Sequence, residues 1–351
     1  MAYTTIDDPS AYFNSLIYTG NVTVRALTFD GNSDLAVDWI WLKSRSISGN
    51  HHLYDSVRGT QKHLRSNLDS AEGTNGGTDG VTAFSSNGVT IGTNTASNDD
   101  GETFVGWGWK AGTSFTNDAS GTGIGTIDSA GSVNTDAGFS IISFTGTETN
   151  SQSVAHGLGA VPELIISKSR DVADNWMVHH GSFSENDYIS LNLTNAKASA
   201  SSVWSSLPTS TVINIGDNAG VNDDGAMIMY AFRSVQGYSK FGSYTGNGNA
   251  DGTFVYTGFK PALIIFKNAD SGSADWVLYD NKRDGFNSNN IALYPNANAA
   301  DDTGNDPDIL SNGFKQRATG SDRNGNGENI IYMAFAENPF VTSGGVPGLA
   351  E

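Results

Sequence analysis

The side chains best suited to chemistry in this sequence are oxygen donors gathered in three short turns. They are Asn98-Asp99-Asp100-Gly101-Glu102, Asn222-Asp223-Asp224-Gly225 and Asp322-Arg323-Asn324-Gly325-Asn326-Gly327-Glu328. Clustered carboxylate and amide oxygens are what a hard cation such as Ca²⁺ requires. The candidate calcium ligands are therefore Asp99, Asp100, Asp223, Asp224, Asp322, Asn324, Asn326 and Glu328. The D-x-N-G-N-G-E order of the last turn matches part of a calcium loop but lacks the full EF-hand spacing. The plainer reading, hairpin turns kept soluble by Asp and Asn, ranks ahead of it. The acidic stretch at 301–306 carries the same two readings. No cofactor is expected beyond this calcium option.

Two histidine pairs, His51-His52 and His179-His180, stand near the starts of expected strands. Neighbours on a strand point to opposite faces, so one pair alone cannot readily chelate a metal. The expectation is half-exposed strand positions; a metal site would need both pairs to meet across an interface. Lys43, Lys168 and Lys267 each follow an apolar run. A lysine needed three times reads as structural, either paired with an acid such as Asp55 or Asp280 or capping a strand end. Trp204 and Tyr188 could stack on sugar rings or anchor a core. Serine-hydrolase, phosphate-loop and zinc-protease signatures are missing. With no cysteine in the chain, thiolate sites and disulfides are excluded as well. No catalytic residue is assigned, and the chain reads as non-enzymatic.

These residues recur because the units around them recur. FNSLIYTGN at 13–21, FSIISFTGT at 139–147 and FGSYTGNG at 241–248 each open a unit. A central apolar run ending in lysine follows, then a second run, then a closing run at 103–110, 226–233 or 329–340. The interval from Gly20 to Lys43 matches Gly146 to Lys168 and Gly246 to Lys267 within two residues. The longer interval from each glycine to Trp109, Phe232 or Phe335 matches within three. Repeats at fixed intervals imply one structural unit used several times.

The central runs, such as Trp39-Ile40-Trp41-Leu42 and Leu263-Ile264-Ile265-Phe266, are continuous and apolar, as expected of strands buried on both faces. The closing runs alternate, with Phe104, Trp107 and Trp109, then Met227, Met229 and Ala231, then Ile331, Met333 and Phe335 as the apolar sets. Asn-Gly and Asp-Gly between runs signal tight hairpins. Helical windows are scarce, with single turns expected at 66–73 and 193–202. The expected fold is all-β: three tandem antiparallel β-sandwich, jelly-roll-like modules. Its parts are an N-terminal arm (1–12), module one (13–111), a Gly/Ser/Thr-rich connector (112–138) with room for a short hairpin, module two (139–234), module three (238–340) and a tail (341–351). The tail is expected to be disordered or pinned by a partner.

Charge narrows the partners. With 37 Asp and Glu against 19 Lys and Arg, the net charge is −18, which repels phosphate backbones and argues against nucleic acid. No run approaches the length of a membrane span, and the acidic start lacks the apolar core of a signal peptide.

Longer motifs carry a family resemblance: WLKSR and HHLYDSVRG within 41–59, YSKFGSYTGNG at 238–248, DILSNGFK at 308–315 and AFAENPF at 334–340. Over about residues 12–340 the chain resembles a repeat family of virion structural, tail-fibre-like proteins of marine tailed bacteriophages. The resemblance implies a virion protein made in the host cytoplasm and assembled with other virion proteins. A short tail fibre, spike or tail-tip protein touching a host glycan or receptor leads. A capsid decoration protein or head fibre is the alternative, and a homotrimer fits either. A carbohydrate-degrading tailspike ranks third, because nothing in the sequence pairs two carboxylates.

Overall fold

Apolar runs bounded by Gly, Asn and Pro turn signals favour strands over helices. The computed structural model, which describes residues 2–304 and 307–348, is accordingly built from antiparallel β-strands. One strand order occurs in three sheets. The opening strand Phe13–Thr19 pairs with the closing strand Thr103–Trp109, which pairs with the central strand Trp39–Ser44 and then the flanking strand His52–Asp55. The same order joins Phe139–Thr145, Ala226–Phe232, Leu164–Ser169 and Met177–His180. It joins Ser239–Thr245, Asn329–Pro339, Phe259–Asn268 and Trp276–Asp280 once more.

Each of these sheets is buried on both faces, which explains the continuous apolar runs. Ile40 and Leu42, Ile165, and Ile264 with Phe266 point into three separate cores. Each separate core lies under a small second sheet. These small sheets pair Arg25–Leu27 with Gly88–Ile91, Gln152–Ala155 with Val212–Ile215, and Phe254–Tyr256 with Gly313–Gln316. The pairs of layers are β-sandwiches. On the opposite faces, Trp39 and Trp41, Leu164 and Ile166, and Leu263 and Ile265 meet in one shared core. The three sheets therefore cluster about common apolar contents instead of lying in a row.

The closing strands correct one expectation. Val105, Trp107 and Trp109 face the shared core, as do Ile331, Met333 and Phe335; Phe104, grouped with the two tryptophans in the sequence, lies on the opposite face and stacks on Tyr18, and in the middle sheet it is Ile228, Tyr230 and Phe232 that face the shared core. Met227, Met229 and Ala231 face the private core of their own sandwich. Alternation is legible in the sequence, but with both faces apolar it does not say which set points where.

The connector forms a hairpin of Thr113–Asn117 and Ser129–Asn134, and its second strand pairs with Phe139–Thr145, extending the middle sheet. Helical turns fall at Thr95–Asn98, Ala219–Asn222 and Ser321–Asn324, not at 66–73 or 193–202. The side chains of Asn94 and Asn218 cap the first two of these turns. Within the stretches expected to be helical, the Leu68 carbonyl accepts from Trp176 Nε1 at 3.2 Å and the Thr194 carbonyl from Lys267 Nζ at 3.1 Å, each donor belonging to a neighbouring unit. The N-terminal arm is built into the body: Ile6 lies in the shared core, and the Thr4 hydroxyl donates to the Gln236 carbonyl at 2.7 Å. The tail folds back on its own chain, with the Gly348 N–H donating to the Phe340 carbonyl at 2.7 Å and the Ser343 hydroxyl bonded to Asp7. Met1 of the arm and residues 349–351 of the tail lie outside the described residues.

Candidate functional site

The acidic turns sit where each closing strand begins, and their asparagines are structural. Asn98 Oδ1 accepts from the Asn21 N–H at 3.0 Å, while its Nδ2 donates to the carbonyls of Thr23 and Gly92, both at 2.8 Å. Asn222 Oδ1 accepts from Thr147 N–H at 2.8 Å, and its Nδ2 donates to Thr149 and Gly216. Asn324 Oδ1 accepts from Asn247 N–H at 3.0 Å, and its Nδ2 donates to Asn249 and Ala318. Each buried amide clasps the end of an opening strand to a loop of the second sheet. The adjoining glycines are required by close approach. A Cβ on Gly20 would stand 1.9 Å from the Asp99 carbonyl oxygen, and one on Gly146 would stand 2.0 Å from that of Asp223. The Thr-Gly and Asn landmarks of the sequence are thus two halves of one clasp.

The remaining candidate ligands are spread over different partners. Asp322 Oδ1 accepts from the Asp275 N–H at 3.0 Å, and burial raises its pKa. Glu328 Oε2 accepts from Asn268 Nδ2 at 2.5 Å, and Asp223 Oδ2 from the Ser169 hydroxyl at 3.3 Å. Asp99 Oδ1 accepts from the Asp100 N–H at 3.1 Å. Asp100, Asp224 and Asn326 are exposed. Among the described residues no group of three or more His, Asp or Glu side chains converges as metal ligands do. Asn305 and Asp306 of the 301–306 stretch lie outside the described residues.

Lys43, Lys168 and Lys267 are fully buried and do not pair with Asp55 or Asp280. Their ammonium groups turn back onto backbone carbonyls at the strand ends. Lys168 Nζ donates to Ser169 at 2.8 Å and Val172 at 3.1 Å; Lys267 Nζ donates to Asn268 and Ala274 at 2.9 Å and to Thr194 at 3.1 Å. Lys43 donates to Ser44 in the same way. Desolvation lowers the pKa of each to about 8. Asp55 and Asp280 are taken by Arg58 at 2.5 Å and Arg283 at 2.6 Å, in pairs with no exposed side-chain surface.

The histidines are buried, not half-exposed, and the two pairs occupy different register positions. His180 aligns with Asp55 and Asp280, since Leu164, Trp39 and Leu263 face them across the ladder. His51 instead aligns with Trp176 and Trp276. Its Nδ1 accepts from Trp41 Nε1 at 2.8 Å, which leaves the Nε2 proton for the Tyr294 carbonyl at 3.0 Å. His52 packs on His63, and His179 on Trp204. Burial holds His179 and His180 down to about 4. Trp204, only 2 % exposed, is a core residue, and Tyr188 packs half-buried against the same core, so neither is an open sugar platform.

The sequence does not reveal how the three units interlock. Ring N–H groups at one register position each reach the next unit: His51 to Tyr294, Trp176 Nε1 to the Arg65 carbonyl at 2.9 Å, and Trp276 Nε1 to the Ser190 carbonyl at 2.9 Å. Backbone N–H groups run the other way round the ring: Glu72 to Arg170 at 2.8 Å, Asp301 to Arg45 at 2.7 Å, and Lys197 to Ala269 at 2.7 Å. Two interfaces add a charged latch. Glu72 receives Arg58 and Arg170, and Asp301 receives Arg45 and Arg283. At the third interface Phe183 stands three residues beyond His180, where the others carry arginine, and it packs in the shared core. A signal is present in Asp55…Arg58 and Asp280…Arg283, but nothing local shows that their further partners lie in another unit.

The surface carries shallow clefts. One of about 220 Å³ lies between the first and third units and holds two carboxylates, Asp30 and Glu337. Each is engaged: Asp30 by Lys282 at 2.8 Å, and Glu337 by Lys260 at 3.2 Å and Asn281 at 2.8 Å.

Fold and sites together define an all-β protein of clustered antiparallel sandwiches whose charged and polar networks are structural. The family model described as Domain of unknown function (DUF7483) matches residues 8–339, and the chain belongs to that family. No curated protein and no solved structure matches it.

Proposed function

We propose that this chain is a non-enzymatic virion structural protein of a tailed bacteriophage, most simply a short tail fibre, spike or tail-tip protein that meets the host surface. The observation that carries the reading is the closed ring of contacts among the three units. It holds a rigid core from which Gly-, Asn- and Ser-rich loops project, the arrangement that suits a particle component with binding loops. The motif resemblance supplies the virion context. The commitment of Asp30 and Glu337 to lysines weighs against a glycan-cleaving tailspike. Capsid decoration is the second reading, supported by the docking of the N-terminal arm into the shared core.

The test is to purify particles of a phage encoding the chain, detect the chain by mass spectrometry and locate it by cryo-EM. Density at the tail is expected. Density on the capsid lattice would move the protein to the decoration reading, and absence from the particle would remove both.

A further inference from the structure

The connector hairpin is an elaboration the sandwich does not need. In the first and third sheets the opening strands Phe13–Thr19 and Ser239–Thr245 end the ladder, whereas in the middle sheet Thr113–Asn117 and Ser129–Asn134 are added beyond Phe139–Thr145. Two sheets of the same order stand without such a hairpin, so its presence calls for another reason. Its effect is to create a concavity of about 320 Å³ against the small Gln152–Ala155 and Val212–Ile215 sheet.

We infer that this concavity is a binding site for a neutral pyranose unit of a glycan, with the Phe115 ring as its platform. Phe115 lines the cavity and lies over Gly157, where an added Cβ would meet the ring at a contact distance of 3.4 Å, and beside Gly131, whose closest approach is to the Ile141 carbonyl at 1.9 Å. Ile124, 38 % exposed, adds apolar wall, and Ser210 and Thr211 line the same space, with Thr211 Oγ1 hydrogen-bonded to Thr209 Oγ1 at 3.3 Å. The Asn117 amide shapes the wall without being free, since Nδ2 donates to the Ile124 carbonyl at 2.9 Å and Oδ1 accepts from Thr122.

This chemistry selects its ligand. No charged side chain lines the concavity although the chain carries a net charge of −18, so an ion meets nothing complementary. Ser210 and Thr211 at the rim offer polar partners that a wholly apolar ligand would not use. A pyranose has a C–H face that packs on an aromatic ring and a rim of hydroxyls that pair with hydroxyls. The volume falls at the low end of small-ligand sites, enough for one or two rings.

The inference rests on the host-contact reading above and supplies its ligand class. Its test is saturation-transfer NMR and calorimetry on the full chain with methyl glycosides of glucose, galactose, mannose and N-acetylglucosamine. At least one is expected to bind, with saturation strongest at its C–H face. Phe115→Ala should weaken binding at least tenfold. Ser210→Trp, at an exposed rim position that fills the cavity without touching the core, should abolish it while leaving the melting temperature unchanged. No binding by any probe at 50 mM, or binding undisturbed by both variants, overturns the site. Particle location is measured independently, so a virion protein without sugar binding and a sugar binder absent from the virion are distinguishable outcomes.

Discussion

The Tyr230 hydroxyl donates a 2.7 Å hydrogen bond to the Asp55 carboxylate across the boundary between two units, at the same oxygen that Arg58 holds at 2.5 Å. Trp107 Nε1 makes the corresponding bond to Asp280 at 3.0 Å, beside Arg283. Each buried ion pair is thus completed by a donor from the neighbouring unit, which couples folding of one unit to docking of the next. Truncating the acid would leave a buried guanidinium short of its nearest carboxylate, with only the shared Glu72 or Asp301 as counter-charge. Asp55→Ala and Asp280→Ala are each expected to cost about 3–5 kcal/mol. Removing both partners, as in Asp55→Ala with Arg58→Leu, should cost less than Asp55→Ala alone. Urea denaturation measures this, and a double variant worse than the single one would contradict the latch.

The asparagine clasps make a second prediction. Each amide satisfies one backbone N–H and two carbonyls, so Asn222→Ala leaves the buried Gly216 carbonyl and the part-buried Thr147 N–H and Thr149 carbonyl short of partners. A loss of about 2–3 kcal/mol is expected, since stranded buried polar groups cost roughly 1–3 kcal/mol each before relaxation and water entry. Asn222→Asp should be no better, because a carboxylate cannot donate to the Thr149 and Gly216 carbonyls. Recovery of wild-type stability by the Asp variant would mean that the two donated bonds contribute nothing.

Acid should loosen the protein before its carboxylates titrate. His51, His52, His63, His156, His179 and His180 all have lowered pKa values, chiefly through desolvation; His63 and His156 lie at about 4 and His52 at about 3. These groups stay neutral in the fold while the unfolded chain takes up protons. Their stabilising contribution is therefore complete above the unfolded value of about 6.5 and is lost as pH falls towards 4. The expected loss between pH 6.5 and 5 is on the order of 1 kcal/mol per histidine. Urea midpoints across that range test it, and a flat profile would show that the histidines are accessible to protons in the fold.

Calcium offers a fourth test. Asn324 has its amide committed to the clasp, and Asp322 and Glu328 accept from different backbone and side-chain donors. Melting curves in 5 mM CaCl₂ and in EDTA are expected to coincide within about 1 °C, because a ligand that binds only the folded state would raise the midpoint. A clear upward shift with Ca²⁺, lost in Asp322→Asn, would restore the loop as a metal site.

The all-β character and the succession of strands along the chain are legible in the sequence because they depend on local choices. Apolar runs of strand length, turn signals such as Asn-Gly, and the spacing of Gly20, Lys43 and their counterparts each act within a few residues of themselves. Proline behaves in the same local way. Pro162 precedes the central strand Leu164–Ser169, and Pro261 sits within Phe259–Asn268 at a shift of register, where a missing N–H is tolerated.

Long-range packing sets which face of each strand looks where and which unit supplies each partner. Both faces of the central sheets are apolar, so the sequence pattern is the same whether a side chain enters its own sandwich or the shared core; Met229 and Met333 look alike in sequence and face opposite ways. The ionic and aromatic partners were equally hidden. Tyr230 and Asp55, or Trp107 and Asp280, are far apart in the chain, and their pairing follows from the packing of three sheets about one core, a property of the closed ring that no single unit contains.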